Sequence, residues 1–564
     1  MGGLRAEFLS NLEGIVGASQ VLTSARKTEP FRTGFRFGRG QALAVVLPRT
    51  LIEQWRVLQA CAAFNKIVIM QAANTGLTGG SSPFGNDYDR DVVIINSMAI
   101  AAIHVINDGQ EVICLPGATL YKLEAVLRPY GREPHSVIGS SCIGASVIGG
   151  VCNNSGGALI RRGPAYTEMA LYARLDENRC LHLVNHLGVE IEGTPEQILA
   201  HVERGDFETG AVETGSRQLR SDRDYPSRIR DIDAETPARF NADARCLFEA
   251  SGSAGKLAIF AVRLDSFPKD ERTKVFYIGT NSPAELTDIR RHILGQFKSL
   301  PVSGEYLHRD AFNIAERYGK DVFVAIRALG AEHLPILYRF KSFIDAAALR
   351  LGIKAGIADK LLQHLSHLYP SHLPKAMTSY RDRFEHHLMI RMADDGIEEA
   401  ESFLSSIFPS TDGDFFECSN EVAEKAFLHR FVTAGAAIRY KTMHEKDVEG
   451  IVALDIALRR NERDWLEVLP HEISDLFIQR LYYGHFFCQV FHHDYLVKAG
   501  NDTAAIEHAL CEILDNRGAE YPAEHNVGHM YSAKRTLRDF YRMLDPCNAY
   551  NPGIGQTSKR SYWD

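Results

Sequence analysis

The sequence lacks the features that mark several broad classes of protein. No window approaches the roughly 18 consecutive apolar residues of a membrane-spanning helix. Residues 1–10 lack the basic start and apolar stretch of a secretory signal, so we expect no such signal there. The formal net charge of −8 argues against general nucleic-acid binding. A content of 45% apolar and 24% charged residues excludes a disordered, collagen-like or coiled-coil chain.

Cysteine pairs are also missing. The ten cysteines, from Cys61 to Cys547, include no C-x-x-C motif and no zinc-finger spacing. Most lie in apolar surroundings, which favours buried, reduced thiols in a cytosolic protein. The length of 564 residues exceeds what one hydrophobic core usually holds, so two to four domains are expected.

Local patterns predict mixed α and β structure. The capping-box pattern at residues 50–53 predicts a helix that continues with apolar residues at helical spacing. Residues 67–70 read as a buried strand and residues 120–127 as a helix. A strand at 275–278 followed by an amphipathic helix at 283–297 predicts the start of a second, α+β unit. Residues 203–245 are polar and rich in Arg and Asp, which predicts a surface excursion.

Two glycine-rich loops follow predicted strands, at residues 71–81 and 139–157. Glycine lets backbone N–H groups point into a concavity and lets a phosphate approach without a Cβ clash. No G-x-x-x-x-G-K-[ST] motif occurs, which excludes an ATP-type P-loop, and G-x-G-x-x-G spacing is absent from residues 76–79. Two such loops favour a phosphate site over a pair of tight turns, which is the alternative.

The segment Asn74-Thr75-Gly76-Leu77-Thr78-Gly79-Gly80 and the second loop resemble the flavin domain of the vanillyl-alcohol oxidase or p-cresol methylhydroxylase type, and residues 544–553 are similar to the closing motif of that type. Residues 132–138, 162–169 and 521–529 add a resemblance, nearly end to end, to the family of bacterial quinone-dependent D-lactate dehydrogenases. The resemblance implies an α+β fold. It would combine a two-subdomain FAD-binding domain of the p-cresol methylhydroxylase type with an antiparallel-sheet cap domain that carries a membrane-binding insertion.

The resemblance implies a set of contacts to a noncovalently bound FAD. These are Ala72, Ala73, Asn74, Thr75, Gly76, Gly80 and Ser81 in the first loop, Gly139, Ser146 and Gly156 in the second, and Ile259 on a later strand. Gly79 departs from the family, in which a larger or acidic residue is expected, and this departure predicts a slightly looser first loop.

Histidines and acids gather late in the chain. His485 and His492 are seven residues apart, and Glu524-His525 follows. If the first two lie on a strand pair, both can face one cavity, and two imidazoles with a carboxylate can bind a divalent metal. Satisfied core histidines are the alternative from spacing alone. Resemblance to FAD-dependent 2-hydroxyacid dehydrogenases implies that His485, His492 and Glu524 bind a metal such as zinc, although Asn526 replaces the usual glycine.

Oxidation of a 2-hydroxy acid sets three requirements. The carboxylate needs a cation, the hydroxyl proton needs a base, and the C2 hydride needs an acceptor that no side chain supplies. The resemblance assigns His525 as the base, with Glu524 beside it, and Arg459 as the cation that grips the carboxylate. A surface salt-bridging arginine is the alternative for Arg459.

A basic segment interrupts the second unit. Residues 333–383 contain eight Lys or Arg against three acids, a net +5 in a chain of −8. Leucines are interleaved with these basic residues. One interpretation of the segment is therefore a surface that contacts anionic lipid headgroups, and the other is a solvated basic face. We expect an FAD-binding domain at 1–265 completed by 515–564, a cap domain at 266–306 and 384–514, and a membrane-binding insertion at 307–383.

Together these features predict a respiratory flavoenzyme. It would oxidise D-lactate to pyruvate and pass electrons to a membrane quinone, from a peripheral position on the cytoplasmic face of the bacterial inner membrane. Another D-2-hydroxy acid, such as glycolate or 2-hydroxyglutarate, is the nearest alternative substrate. A metal-dependent hydrolase and a noncatalytic nucleotide-binding protein are the alternatives from other classes.

Overall fold

The computed structural model describes residues 2–135, 143–207, 212–213, 217–330, 333, 356–366 and 370–564. The strands in these ranges are β1 (Val21–Leu22), β2 (Ala44–Val46), β3 (Ile67–Gln71), β4 (Val92–Asn96), β5 (Ile103–Ile106), β6 (Glu111–Cys114), β7 (Arg132–Glu133), β8 (Ala170–Leu175), β9 (Leu181–Asn185), β10 (Ala258–Asp265), β11 (Phe267–Pro268), β12 (Thr273–Thr280), β13 (Ser303–His308), β14 (His386–Ala393), β15 (Gly413–Glu417), β16 (Val448–Ala457), β17 (Phe477–His485) and β18 (Val490–Lys498).

The α-helices in the same ranges are α1 (Gly2–Val16), α2 (Ala25–Arg32), α3 (Leu51–Ala63), α4 (Leu120–Leu127), α5 (Val147–Cys152), α6 (Pro195–Arg204), α7 (Tyr225–Arg230), α8 (Pro283–Gln296), α9 (Arg309–Tyr318), α10 (Lys320–Leu329), α11 (Ile357–Ser366), α12 (Lys375–Arg383), α13 (Gly396–Ile407), α14 (Asn420–Phe431), α15 (Thr433–Met443), α16 (His471–Ser474), α17 (Thr503–Asn516) and α18 (Arg535–Leu544).

Several predicted elements are confirmed. Helix α3 begins after Thr50, whose Oγ1 accepts a hydrogen bond from the Glu53 amide at 3.0 Å. Strands β3 and β12 and helices α4 and α8 lie where the apolar patterns predict them. The prediction of a surface excursion at 203–245 is wrong for its last part. Arg239, Asn241 and Asp243 are buried there, because the segment folds back against the second glycine loop.

The first half of the chain contains two sheets that share a core. The first sheet has the strand order β1-β2-β4-β3, with β2, β4 and β3 parallel. The second sheet has the order β5-β6-β10-β8-β9 and is antiparallel. One hydrophobic cluster joins α1 and α3 to strands of both sheets. The first glycine loop leaves the carboxyl end of β3, at the edge of the parallel sheet.

The second half of the chain is built on a seven-stranded antiparallel sheet of order β15-β12-β14-β13-β17-β18-β16. Successive side chains of a strand point to opposite faces. On β12, Phe276 and Ile278 pack toward α8 and α13, whereas Val275 and Tyr277 pack toward α9, α14 and α15. The helices on this second face cover it only in part, and the uncovered part faces the first half of the chain.

The end of the chain returns to the first sheet. The Val68 amide donates to the carbonyl of Ala549, and the Asn551 amide donates to the carbonyl of Val68, both at 2.9 Å. The buried Lys256 ammonium donates to the Tyr550 carbonyl at 3.0 Å. The Asn551 side chain bonds two further segments, as described below. The C-terminal residues therefore belong structurally to the first half.

Two further expectations from the sequence concern the cysteines and membrane-spanning helices. The nine cysteines within the described ranges form no disulfide, and six of them are buried. None of the described helices combines the length and apolar character needed to cross a membrane.

The Asn551 side chain offers a test of how the C-terminal segment stabilises the fold. Its Nδ2 donates to the carbonyls of Gly80 and Ala254, both at 2.8 Å. In the variant Asn551→Ala both carbonyls lose their donor, so we expect the free energy of unfolding to fall by about 1–3 kcal/mol. Denaturant unfolding measures this change. The control Asn501→Ala removes one exposed bond to Lys498 and should change stability by no more than about 0.5 kcal/mol. Equal effects would contradict this account.

Candidate active site

A cavity of about 1840 Å³ lies between the glycine loops and the seven-stranded sheet. Ten of the eleven predicted FAD contacts line it: Ala72, Ala73, Asn74, Thr75, Gly76, Gly80, Ser81, Ser146, Gly156 and Ile259. The eleventh, Gly139, lies outside the described residues. Residues from distant parts of the sequence therefore share one wall of one cavity.

The first loop is held open by its own side chains. Gln71 Nε2 donates to the Ser81 carbonyl at 2.7 Å and so joins the two ends of the loop. Asn74, at φ +52°, donates from Nδ2 to the Thr33 carbonyl at 2.9 Å. A Cβ added at Gly76 would meet no atom within 4 Å, so the loop backbone faces open cavity. This arrangement fits a pyrophosphate group lying against the loop.

Gly79 corrects the expectation of a looser loop. Its φ is +73°, and a Cβ there would lie 2.6 Å from the Phe37 carbonyl oxygen. Both facts require glycine. The departure from the family pattern therefore goes with close packing against Phe37 and not with a looser loop.

The second loop brings a carboxylate close to the backbone. Ser146 begins α5, and its Oγ accepts a hydrogen bond from the Gly149 amide at 3.1 Å. A Cβ at Gly156 would lie 2.5 Å from Glu524 Oε1 and 2.9 Å from Arg239 Nε. The absence of a side chain at Gly156 therefore leaves room for this buried pair beside the loop.

A bend after Glu524 fixes the C-terminal segment on the first loop. Thr78 Oγ1 donates to the Asn526 carbonyl at 2.8 Å, and the His529 amide donates to the Thr78 carbonyl at 3.0 Å. Gly528, at φ +57°, comes so close to Thr78 that a Cβ would lie 2.1 Å from its carbonyl oxygen. Because the backbone bends here, the neighbouring side chains of Glu524 and His525 both line the cavity.

Alternation along the strands brings further ionisable groups to the same cavity. Strands β17 and β18 form a hairpin in which Tyr483 pairs with His492, so His485 and His492 share one face. Glu305 of β13 lies opposite His485, and Asp455 of β16 lies opposite His492. The expectation that the two histidines face one cavity from a strand pair is confirmed.

The two imidazoles converge on one carboxylate oxygen. His485 Nε2 lies 3.2 Å from Glu524 Oε2, and His492 Nε2 lies 3.9 Å from the same oxygen. Their Nδ1 atoms face carboxylates on the far side, Glu305 at 2.6 Å and Asp455 at 3.3 Å. Ligand atoms of His485, His492 and Glu524 all lie within 4.8 Å of one another. Imidazoles held by carboxylates on their outer nitrogen are typical of metal sites.

Charge around the cluster is nearly balanced. Burial raises the pKa of Glu524, but His485 and Arg239 outweigh burial and hold that pKa well below its usual range. Burial lowers the pKa of His485, but Glu305 and Glu524 outweigh burial and raise it to about 10. The pKa of Asp455 is lowered because its histidine neighbours outweigh burial. Three ionised carboxylates thus face Arg239 and Arg430, which leaves one negative charge before any histidine is protonated.

His525 is the more accessible member of the cluster. Its side chain is 33% exposed, and Nε2 lies 3.8 Å from Asp455 Oδ2. Its ring stacks on that of His492 with a centroid distance of 6.3 Å. A side chain so placed can meet a small molecule in the cavity and exchange a proton with it.

Arg459 does not reach the cavity, so its predicted place at the substrate carboxylate needs correction. Its guanidinium packs against Gly518, and Nε donates to the Gly518 carbonyl at 3.4 Å. This follows from the turn after β16, which carries the side chain toward α17. Arg430 is a buried cation that lines the cavity next to the cluster, with its guanidinium over the Tyr483 ring at 4.6 Å.

Four residues of the cluster went unrecognised in the sequence: Glu305, Asp455, Arg239 and Arg430. Asp455 had a detectable signal, because it is the acid within the apolar run at residues 451–457 of β16, whereas Glu305 lies in a short strand that also contains Ser303 and His308. Arg239 had none, since it lies in a polar stretch with no periodicity. Arg430 follows a histidine near the end of α14, where a basic residue usually needs no explanation beyond the helix dipole.

Two protein-family models match the chain. The model described as D-lactate dehydrogenase, membrane binding, covers residues 275–563, and the model described as FAD binding domain covers residues 42–175. The chain is 56% identical to the quinone-dependent D-lactate dehydrogenase of Escherichia coli over 99% of its length and 97% of that protein. It is 54% identical to the protein of the same name from Haemophilus influenzae, over 99% of both chains.

Solved structures share the fold at low sequence identity. The structure of p-cresol methylhydroxylase with substrate bound matches with a TM-score of 0.59 at 11% identity, over 99% of this chain and 98% of that one. An alkyldihydroxyacetonephosphate synthase matches with a TM-score of 0.58 at 10% identity, over 97% and 84%. The arrangement of sheets around the cavity is therefore that of the p-cresol methylhydroxylase type.

Proposed function

Because this chain belongs to the family of quinone-dependent D-lactate dehydrogenases, we propose that D-lactate is oxidised in the cavity described above. The protein is a membrane-associated FAD-dependent dehydrogenase that converts D-lactate to pyruvate and passes the electrons to quinone. The observation that supports this location is the convergence of Glu524, His525, His485 and His492 beside the first glycine loop.

FAD fits the cavity by the chemistry of its walls. We propose that residues 72–76, Gly80, Ser81, Ser146 and Gly156 hold it, because they present backbone and small polar groups to open space. The first loop offers no His, Cys or Tyr for a covalent link, which supports noncovalent binding. FAD held there would supply the acceptor for the C2 hydride of D-lactate and the source of the electron pair for quinone.

The side chains of the cluster have separate roles in proton transfer, substrate binding and positioning. His525 takes the hydroxyl proton of D-lactate, and the Asp455 carboxylate stabilises the imidazolium that forms. Arg430 supplies positive charge toward the substrate carboxylate, and the Tyr483 ring fixes the plane of its guanidinium. Glu524 lies between the histidines and Arg239, so its role is to position the imidazoles.

A divalent metal held by His485, His492 and Glu524 fits the charge of the cluster. The three carboxylates exceed the two arginines by one negative charge, so a doubly charged ion that displaces the proton of the His485 imidazolium leaves one positive charge. D-lactate then brings the total to neutral. Such an ion would supply positive charge to the substrate carboxylate and hydroxyl oxygens.

The proposed domain boundaries are the same as those expected from the sequence. We propose an FAD-binding domain at 1–265 and 515–564, a cap domain at 266–306 and 384–514, and a membrane-binding insertion at 307–383, of which the first helix, α9, packs on the sheet of the cap domain. The C-terminal bonds to β3 and the separate seven-stranded sheet support the first two assignments.

Anionic lipid headgroups are the proposed partner of the insertion, at the cytoplasmic face of the inner membrane in a peripheral position. Three of the basic side chains in the described part of residues 333–383 pair with acids of the fold: Lys360 with Glu445, Arg381 with Glu316, and Arg383 with Asp414. The sequence adds Arg339, Lys341, Arg350 and Lys354 outside the described ranges. Exposed apolar side chains at Leu329, Leu361, Leu365 and Ile438 support membrane contact beside this segment.

The role of His525 is tested by the variant His525→Asn in the FAD-loaded protein. Asparagine keeps a hydrogen-bonding group of similar size but cannot take the proton, so flavin reduction by D-lactate should slow by about 10²–10⁴-fold. Rapid-mixing absorbance measures the rate.

The control is His508→Asn, at a histidine on α17 whose side chain is 80% exposed. Its rate and FAD content should equal those of the wild type. Flavin reduction as rapid in His525→Asn as in the wild type would overturn the assignment and make His485 or His492 the next candidate.

The metal proposal is tested by titrating chelator-treated protein with Zn²⁺ or Mn²⁺. The wild type should bind about one equivalent, whereas His492→Gln should weaken binding at least tenfold. The control His493→Gln alters the next histidine of β18, which lies on the opposite face beside Tyr495 and should keep wild-type affinity. Equal metal binding by His492→Gln, or no binding by the wild type, would contradict the proposal.

The lipid proposal is tested by the double variant Lys341→Glu with Lys354→Glu. Each basic residue near an anionic leaflet contributes about 1 kcal/mol, so affinity for vesicles containing phosphatidylglycerol should fall at least about 30-fold. The control Arg26→Glu with Lys27→Glu makes the same charge change on the exposed side of α2 and should bind normally. D-lactate oxidation with a soluble dye should survive in both. Unchanged vesicle binding by the first pair would exclude this segment as the lipid contact.

A further inference from the structure

The cavity has an apolar arm that D-lactate oxidation does not use. Phe427 and Phe431 of α14 and Ala434, Gly435 and Ile438 of α15 line one side of it. Phe427 and Phe431 are four residues apart on α14, and Ala434 and Ile438 are four residues apart on α15, so each pair lies on one face of its own helix; Arg439 and Lys441 of α15 line the cavity as well. The arm therefore has a continuous wall built from two consecutive helices.

Strand β16 contributes further residues that line the cavity. Ile451, Ala453 and Asp455 alternate along the strand, so all three side chains face the cavity. Asp455 stands in the ionisable cluster, Ala453 lies next to it, and Ile451 lies farthest away. Helix α15 contacts β16 and β18 in the same region. The arm thus begins at the polar cluster and becomes apolar along β16.

The outer end of the arm opens at the surface. Ile438 is 41% exposed and Gly435 is exposed, although both line the cavity. Lys441, one helical turn farther along α15, also lines the cavity. Helix α11, which packs against α15, carries Leu361 and Leu365 with exposed side chains. The mouth is therefore next to the surface that presents exposed apolar groups.

D-lactate is a three-carbon anion and gains nothing from apolar walls of this length. A quinone has a flat ring, polar carbonyl oxygens and an isoprenoid tail, and its tail matches the walls while its ring matches the polar inner end. We propose that this arm is the quinone site, with the ring near Arg430 and Tyr483 and the tail along the apolar side chains of α14 and α15. The proposal rests on the proposed function, because quinone is the acceptor there.

The chemistry balances without a further reactant. D-lactate loses two electrons and two protons on becoming pyruvate, through cleavage of the C2–H and O–H bonds. The quinone takes up two electrons and two protons, and both of its carbonyl oxygens become hydroxyls. An arm that begins at the cluster and ends at the apolar surface lets quinone enter and quinol leave on the side that faces the membrane.

Gly435 gives a direct test, because a Cβ there meets no atom within 4 Å. The variant Gly435→Phe fills the arm without displacing protein atoms, and it replaces glycine inside a helix by a better helix former. Binding of the short-chain quinone ubiquinone-1 to the oxidised FAD-loaded protein is measured by calorimetry. We expect its Kd to rise at least tenfold. D-lactate oxidation with a soluble dye should stay within twofold of wild type, while reduction of ubiquinone-1 falls at least tenfold.

The control is Gly14→Phe, since Gly14 is an exposed glycine of α1 with the same free space around its Cβ. It should leave quinone binding unchanged. Ile438→Glu provides a second variant at the exposed mouth, where a charge opposes entry of the tail and folding is not at risk. Folding of each variant is checked by its thermal unfolding midpoint.

Unchanged ubiquinone-1 binding in both Gly435→Phe and Ile438→Glu would overturn the proposal. A raised KM for D-lactate with the dye and normal quinone binding would identify the arm as the substrate entrance instead. Failure of the proposed function is a separate result, because the wild type itself would then show no flavin reduction by D-lactate while its quinone binding could still be measured.

Discussion

The site depends on one buried carboxylate and the charges that surround it. Glu524 is buried, with Arg239 on one oxygen and His485 and His492 on the other. An unpaired carboxylate in this position would be costly, because burial penalises the charged form. The pairing therefore requires three distant segments to meet: the polar stretch before β10, the β17–β18 hairpin and the C-terminal return of the chain. The positions of these three segments therefore depend on one another.

The two halves of the protein meet at this pairing. The C-terminal segment that carries Glu524 is bonded to the first glycine loop through Thr78, while the histidines come from the seven-stranded sheet. Strand alternation then supplies Glu305 and Asp455 behind the histidines, which fixes the orientation of both rings. The cavity that results has backbone amides on one wall and titratable side chains on the other. Such a division separates cofactor binding from proton transfer.

Much of this organisation is predictable from the sequence, and the rest fails for physical reasons. Glycine loops after apolar strands predict a phosphate cradle because few other arrangements need that backbone freedom. The bend at Gly528 follows from the same reasoning, since Glu524 and His525 cannot share a cavity on an extended chain. Arg459 could not be placed, because its direction depends on a turn that leads to α17 rather than on any periodicity. Arg239 could not be recognised for a related reason: its polar segment is buried because Arg239 pairs with a carboxylate that is distant in the sequence. In the sequence, Gly79 is a departure from the family pattern. In the fold, glycine is sterically required at this position, and only the location of Phe37 shows this.

The central claim is that this cavity holds FAD and delivers the electrons of D-lactate to it. The most direct measurement is the visible absorption spectrum of the purified protein, recorded without oxygen before and after addition of D-lactate. The account predicts a yellow protein with about one FAD per chain, released intact by acid, whose flavin bands bleach on addition of D-lactate and return on addition of quinone. A colourless protein, or a yellow one whose spectrum D-lactate leaves unchanged, would contradict it.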